Sequence, residues 1–173
     1  TAVLSRIHLA ELVAVDTRPE RLVLASKLGA AAGLSPDEAS RRQDGRASAA
    51  MDLVFELSGQ PEALNLAIGL CGFASRIVIG SWYGNKSTPV ELGGEAHRNR
   101  LQILTSQVST LAPEYSGRWD KQRRFELVWD MLRVLQPREL ISHMEPLRNA
   151  ESLYAQLDNA QPDLIQAVFD YSQ

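Results

Sequence analysis

The sequence predicts an α/β protein organised around a parallel sheet, and three observations predict it. Short, nearly continuous apolar runs recur: "ELVAV" (11–15), "MDLVFELSG" (51–59) and "SRIVIGSWYG" (75–84). Their length and texture are those of strands buried in a parallel sheet. Segments with helical apolar spacing alternate with them, and the strands close on small residues, as β–α units do. In sheets of this kind ligands bind at the carboxyl ends of the strands.

Each element follows in order. "TAVLSRIHLA" places Val3, Leu4, Ile7 and, less regularly, Leu9 on one stripe, which reads as the end of a helix. After the first strand, Pro19 suits an initial helical turn, and Leu22, Ala25 and Leu28 continue a helix that Gly29 stops. Residues 30–50 are weakly patterned and predict a short strand followed by polar loop or helix. The strand at 51–59 leads through Pro61 into a helix whose apolar face is Leu64, Ala67, Ile68 and Cys71. A third strand spans 75–84. "NKSTPVELGG" reads as a loop with a short extended piece, and "NRLQILTSQ" (99–107) as a further strand. "VSTLAPEYSGRW" is an irregular connection. "DKQRRFELVWDMLRVLQ" is a long amphipathic helix with Phe125, Val128, Trp129, Leu132 and Leu135 on one face. "ELISHMEPL", "RNAESLYAQLDN" and "DLIQAVFDY" close the chain as strand, helix and strand.

Composition narrows the classes. A chain of 173 residues, 45% hydrophobic and 23% charged, can bury a sizeable core and reads as an ordinary globular protein. Its net charge of −3 gives no electrostatic reason to expect nucleic acid or an anionic membrane as a partner. The one cysteine, Cys71, leaves no internal disulfide and fits a reducing compartment, so a cytoplasmic protein is expected. No apolar run reaches the roughly 18 residues of a membrane span. Arg6, His8 and Glu11 interrupt any secretory core at the N-terminus. The absence of an initiator methionine, in a chain opening inside an apolar pattern, predicts that Thr1 is not a natural start.

Asp16 follows the first apolar run directly. A carboxylate at a strand tip can cap the next helix or accept hydrogen bonds from ribose hydroxyls, and spacing alone does not choose between them. A ribose site would have a glycine-rich turn roughly 20 residues upstream, and none precedes Asp16. As a ribose ligand Asp16 favours NAD, because a 2′-phosphate would meet like charge. Arg18 and Arg21 pull the other way, since an arginine there can take a 2′-phosphate or stack on adenine. Ser58–Gly59 and Gly80–Ser81 mark two further strand exits where backbone can approach a flat ligand. His8, His97 and His143 are too scattered for a metal site, and Cys71 reads as core. "RRQDGR" and "DKQRR" read as solvated faces. No Ser/His/Asp or Cys/His arrangement is legible. The residues by themselves indicate a binding site without catalytic machinery.

Four segments taken in order carry a resemblance: "AELVAVDTRPERLVLASKLGA", "DLVFELSGQPEALNLAIGLCGFASRIVIGSWYG", "HRNRLQILTSQ" and "LISHMEPLRNAESLYAQLDN". Together they resemble the C-terminal half of the medium-chain, zinc-dependent alcohol and polyol dehydrogenases, in particular the sorbitol and threonine dehydrogenase branch. The resemblance implies a Rossmann-type doubly wound parallel sheet, incomplete at its N-terminus, with a C-terminal α+β segment. Residues 1–110 would be a partial NAD(P)-binding domain from its second strand onward, and 111–173 the returning segment of the catalytic domain. It implies cofactor-binding roles for Asp16 (ribose), Arg21 (near adenine), Ser58 and Gly59 (beside the adenosine ribose), Gly80 and Ser81 (beside nicotinamide), and Ser106 in a later strand end. "TPVEL" (Thr88–Leu92) matches the edge through which family members form dimers, so a homodimer or tetramer is implied.

The implied activity is hydride transfer between an alcohol or polyol substrate and NAD, with NADP the lesser expectation. Zinc is implied only for an N-terminal catalytic domain, which this chain does not contain. The chain is then expected to be a fragment of an enzyme or a truncated paralogue, inactive alone. Two other readings stay open: a non-catalytic Rossmann-like nucleotide-sensing or dimerisation module, and a zinc-independent, quinone-reductase-like relative.

Overall fold

The computed structural model describes residues 1–42, 50–159 and 161–172. Its strands form three parallel sheets: β1 (Val13–Val15) with β2 (Ala32–Leu34), then β3 (Met51–Glu56), β4 (Cys71–Ile79) and β5 (Gln102–Thr105) in that order, then β6 (Ile141–Pro146) with β7 (Gln166–Asp170). The parallel arrangement agrees with the sequence. The sheet is not continuous, however: β1–β2 and β3–β4–β5 are separate ladders.

Helix α1 (Pro19–Lys27) joins β1 to β2. Pro19 supplies its first turn with a preset φ, and Glu20 and Lys27 sit at the ends that the helix dipole favours. It stops at Gly29, whose φ of 98° is left-handed, and a Cβ there would lie 2.6 Å from Ser5 Cβ. Helix α2 (Pro36–Arg42) starts from a reciprocal cap. The Ser35 N–H and hydroxyl donate to Glu38 Oε2, each at 2.8 Å, and the Glu38 N–H returns to Ser35 Oγ at 3.3 Å. Those donors, the backbone one first, hold the Glu38 carboxyl below its ordinary range. Residues 43–49 of the weakly patterned stretch lie outside the described residues.

Helix α3 (Ala63–Leu70) connects β3 to β4 and carries the core. Leu64, Ala67 and Ile68 of the predicted face are buried together with Cys71, Ile77 and Ala96; Cys71 itself, expected on the helix, is extended and opens β4. Fully removing such side chains from water stabilises by about 1.5–3 kcal/mol each. β4 is the central strand, and Ile77 pairs with Val54 of β3 and Ile103 of β5. The other sheet face is open: Leu53, Phe55 and Leu104 are exposed. The apolar runs suggested strands buried on both faces, and that expectation is corrected here.

Three further differences stand out. The N-terminal stripe forms only a 3-10 turn, Leu4–Arg6, and leaves Val3, Ile7 and Leu9 exposed, because so short an apolar segment cannot sustain a helix. Residues 88–92 form no strand; the Asn65 amide of α3 holds them by donating to Pro89 O and accepting from the Glu91 N–H, each at 3.0 Å. Helix α4 (Lys121–Leu135) is capped by Asp120, which accepts the Arg123 N–H at 2.8 Å. Its apolar face stays in solvent, with Phe125 52% and Trp129 59% exposed. Helix α5 (Ala150–Asp158) crosses between β6 and β7 as predicted. Among the described residues no helix is long and apolar enough to cross a membrane.

Candidate functional site

Parallel strands bring their carboxyl ends to one edge, and two groups of the expected site residues form there. The first is at the exit of β1. Asp16 continues the ladder with its N–H on Leu34 O (3.2 Å). Its Oδ1 accepts the Arg18 N–H at 2.9 Å, which closes an Asx turn into α1. Its Oδ2 faces Arg21 Nη1 at 3.9 Å. The helix-entry role of Asp16 is therefore real, and it occupies one carboxylate oxygen. The other stays partly exposed beside a cation.

The second group lies at the exits of β3, β4 and β5. Gly80 N–H reaches Glu56 O at 3.0 Å and Ser106 N–H reaches Ile79 O at 2.8 Å, so the ladder runs past the strands into the turns. Gly59 N–H donates to Ser81 Oγ at 2.9 Å, tying the β3 exit to the β4 exit. Gly59 has φ +71°, and a Cβ added there would meet no atom within 4 Å, so it combines a left-handed turn with open space in front of it. Lys86 Nζ closes the flank with bonds to Gly59 O (2.9 Å) and Gln60 Oε1 (3.2 Å). The structure thus brings Ser58, Gly59, Gly80, Ser81 and Ser106 to neighbouring strand ends and sets Asp16 with Arg21 on the other sheet.

Beneath the second group lies a residue that the sequence pattern did not single out. Glu56, the last residue of β3, is 4% exposed. Its Oε1 accepts the Ser58 N–H at 2.7 Å and the Ser58 hydroxyl at 2.5 Å, and its Oε2 accepts the Tyr83 hydroxyl. Burial works against its charge, but the hydrogen bonds from Ser58 and Tyr83 prevail and hold its carboxyl below the ordinary range. Burial, then the bond to Glu56 and its charge, push the Tyr83 phenol up. A carboxylate ending an otherwise apolar run, two residues before the Ser–Gly turn, was the available signal.

Other chemistry is thin. Burial pushes the Cys71 thiol up to about 11, which makes it a poor nucleophile. His8 and His97 are exposed. Ser142, His143 and Asp163 lie near one another, but the Ser142 hydroxyl takes the Ile165 and Gln166 N–H groups at the start of β7. That makes it a strand tie and not a nucleophile. Among the described residues no group of three His, Cys, Asp or Glu side chains could hold a metal ion.

Residues 2–124 match the model of a family described as zinc-binding dehydrogenase. No curated protein matches the chain. Solved structures share the fold. L-idonate 5-dehydrogenase from Escherichia coli is 18% identical with a TM-score of 0.74, over 98% of this chain and 45% of that one. 2R,3R-butanediol dehydrogenase from Bacillus subtilis is 18% identical with a TM-score of 0.74, over 97% and 46%. A short chain alcohol dehydrogenase (rspB) from E. coli CFT073, complexed with NADH, is 19% identical with a TM-score of 0.76, over 98% and 48%. The chain therefore spans about half the length of these proteins.

Proposed function

The chain belongs to the zinc-binding dehydrogenase family, and from that premise we propose that it is the nucleotide-binding, C-terminal half of an NAD-dependent alcohol or polyol dehydrogenase. The observation that carries this reading is the alignment of three adjacent strand exits, at Ser58–Gly59, Gly80–Ser81 and Ser106, stitched into one edge. The gap in the sheet supports it as well. In the strand order 3-2-1-4-5-6 the first strand lies between the second and the fourth. If β1 and β3 are the second and fourth, the break between the two ladders falls where the first strand belongs.

The donor set suits a dinucleotide. In this proposal Asp16 accepts from the ribose hydroxyls through Oδ2, with Arg21 beside it near the adenine. The Ser58–Gly59 turn lies beside the adenosine ribose, and Gly80, Ser81 and Ser106 at the nicotinamide end. The engagement of Arg21 by Asp16 leaves an acid at the ribose end and favours NAD over NADP. Bound nicotinamide would supply hydride chemistry with a secondary alcohol; this chain's residues bind and orient it. In this reading zinc would be held by an N-terminal catalytic part of the full enzyme, as the resemblance implies. Residues 1–110 would be the partial nucleotide domain, 111–173 the returning catalytic segment, and Thr88–Leu92 a dimer edge. A cytoplasmic setting is supported by the lone, buried free thiol.

The test is a fluorescence titration of NADH into the 173-residue chain and into the complete gene product, with alcohol oxidation followed in parallel. Binding and activity are expected in the gene product, with weak or absent binding in the chain alone. Micromolar binding by the chain would overturn the incomplete site. A gene product that binds neither NADH nor NADPH would overturn the dehydrogenase reading.

A further inference from the structure

Resting on the nucleotide-site reading above, we infer that Glu56 is a positioning residue of that site, bridging the β3 exit through Ser58 to the β4 exit through Tyr83. A buried carboxylate is costly unless it is paired with a cation or saturated with donors. Among the described residues no cation pairs with Glu56. Its charge is held instead by one N–H and two hydroxyls drawn from both exits. An apolar residue at this place would complete the strand at lower cost, so stability alone does not account for a charge there. The charge gives a centre that orients donors from segments 27 residues apart.

The donors also show what the hydroxyls do not do. Ser58 has one proton, which goes to Glu56 at 2.5 Å, while its oxygen accepts the Gln60 N–H at 3.0 Å. Ser81 Oγ accepts the Gly59 N–H and lies 3.4 Å from Glu56 O, as a donor to that carbonyl. Both serines therefore face inward, towards the bridge. Glu56 sets the spacing between two turns, and the ligand meets the open side of Gly59. Without the bridge, Ser58 regains a free proton, Tyr83 loses its acceptor, and the exits are left with the Gly59–Ser81 bond and the backbone ladder as their ties.

The test uses the complete gene product with Glu56→Gln, Tyr83→Phe and the double variant, read by NADH titration, by KM for NAD against kcat, and by melting temperature. Each single variant is expected to raise the dissociation constant by about tenfold, the scale of one lost bond to a charged group, with kcat within about twofold. The double variant is expected to be no weaker than the worse single one, because both break the same bridge. If the wild type fails to bind nucleotide, the dehydrogenase reading falls, and this inference with it. If the wild type binds and both single variants bind equally well, the inference alone falls. It also falls if Glu56→Gln weakens binding while Tyr83→Phe does not, if the two effects simply add, or if kcat falls while the KM holds. Should Glu56→Gln fail to fold, Tyr83→Phe, which removes one hydroxyl, decides by the same criteria of affinity and KM.

Discussion

Helices α3 and α4 announce themselves in the same way and end differently. Both carry apolar residues at helical spacing, yet α3 buries Leu64, Ala67 and Ile68 in the core with Ile77 of β4, while α4 leaves Phe125, Val128 and Trp129 in water. Periodicity states which face a helix needs to cover; it does not state that the cover is part of the same stretch of chain. α3 is tied at both ends to the strands it joins, so its cover is supplied locally. α4 begins from its own aspartate cap and ends on Gln136 in a left-handed conformation before Pro137, and that local chemistry suffices to define it.

The contrast can be broken at three points. The largest effect is expected at Ile68→Ala, where a large-to-small change in the core costs about 2–5 kcal/mol in denaturant unfolding. A cost under about 1 kcal/mol there would mean that α3 is as loosely held as α4. The next lies at the end of β3, the strand that precedes α3, in the Glu56 carboxylate. Its folded state titrates below its ordinary value of 4.5, so it contributes stability above that pH and loses it as pH falls through the folded value. Urea midpoints should therefore drop below pH 4.5 in the wild type, with a shallower drop in Glu56→Gln. The smallest effect is expected at Trp129→Ala in the isolated chain, within about 0.5 kcal/mol, since the ring is already hydrated. Repeating that measurement in the complete gene product sharpens the comparison, because a larger cost there would show that α4 is covered in the whole protein.

Much of the fold was legible because it is locally written. Pro19 and Gly29 bracket α1, and the alternation of runs and helices pointed to parallel sheets. The Ser35–Glu38 cap was equally available in a stretch with little apolar pattern, and only its reciprocal spacing marks α2. What was not legible depends on partners distant in sequence. No property of residues 1–9 says that Val3, Ile7 and Leu9 stay exposed. No pattern in Pro89–Glu91 says that an asparagine from α3, and not another strand, takes its backbone bonds. For the site, the small residues at the strand exits were readable as turns. The bridge under them was not, because Glu56 looks like a charge misplaced in a strand until Tyr83 is brought back to it from 27 residues away.

β4 is the one strand of its sheet with a neighbour on each side, and the chain crosses α3 to reach it. Partial unfolding can peel β5 away, or let the edge of β3 fray, and still leave a ladder. It cannot remove β4 without dissolving the others, because Ile77 holds a partner in both directions. Opening at the centre is therefore global, whereas opening at the exits is local. The edge that would meet a ligand can yield, then, while the strand behind it stays closed.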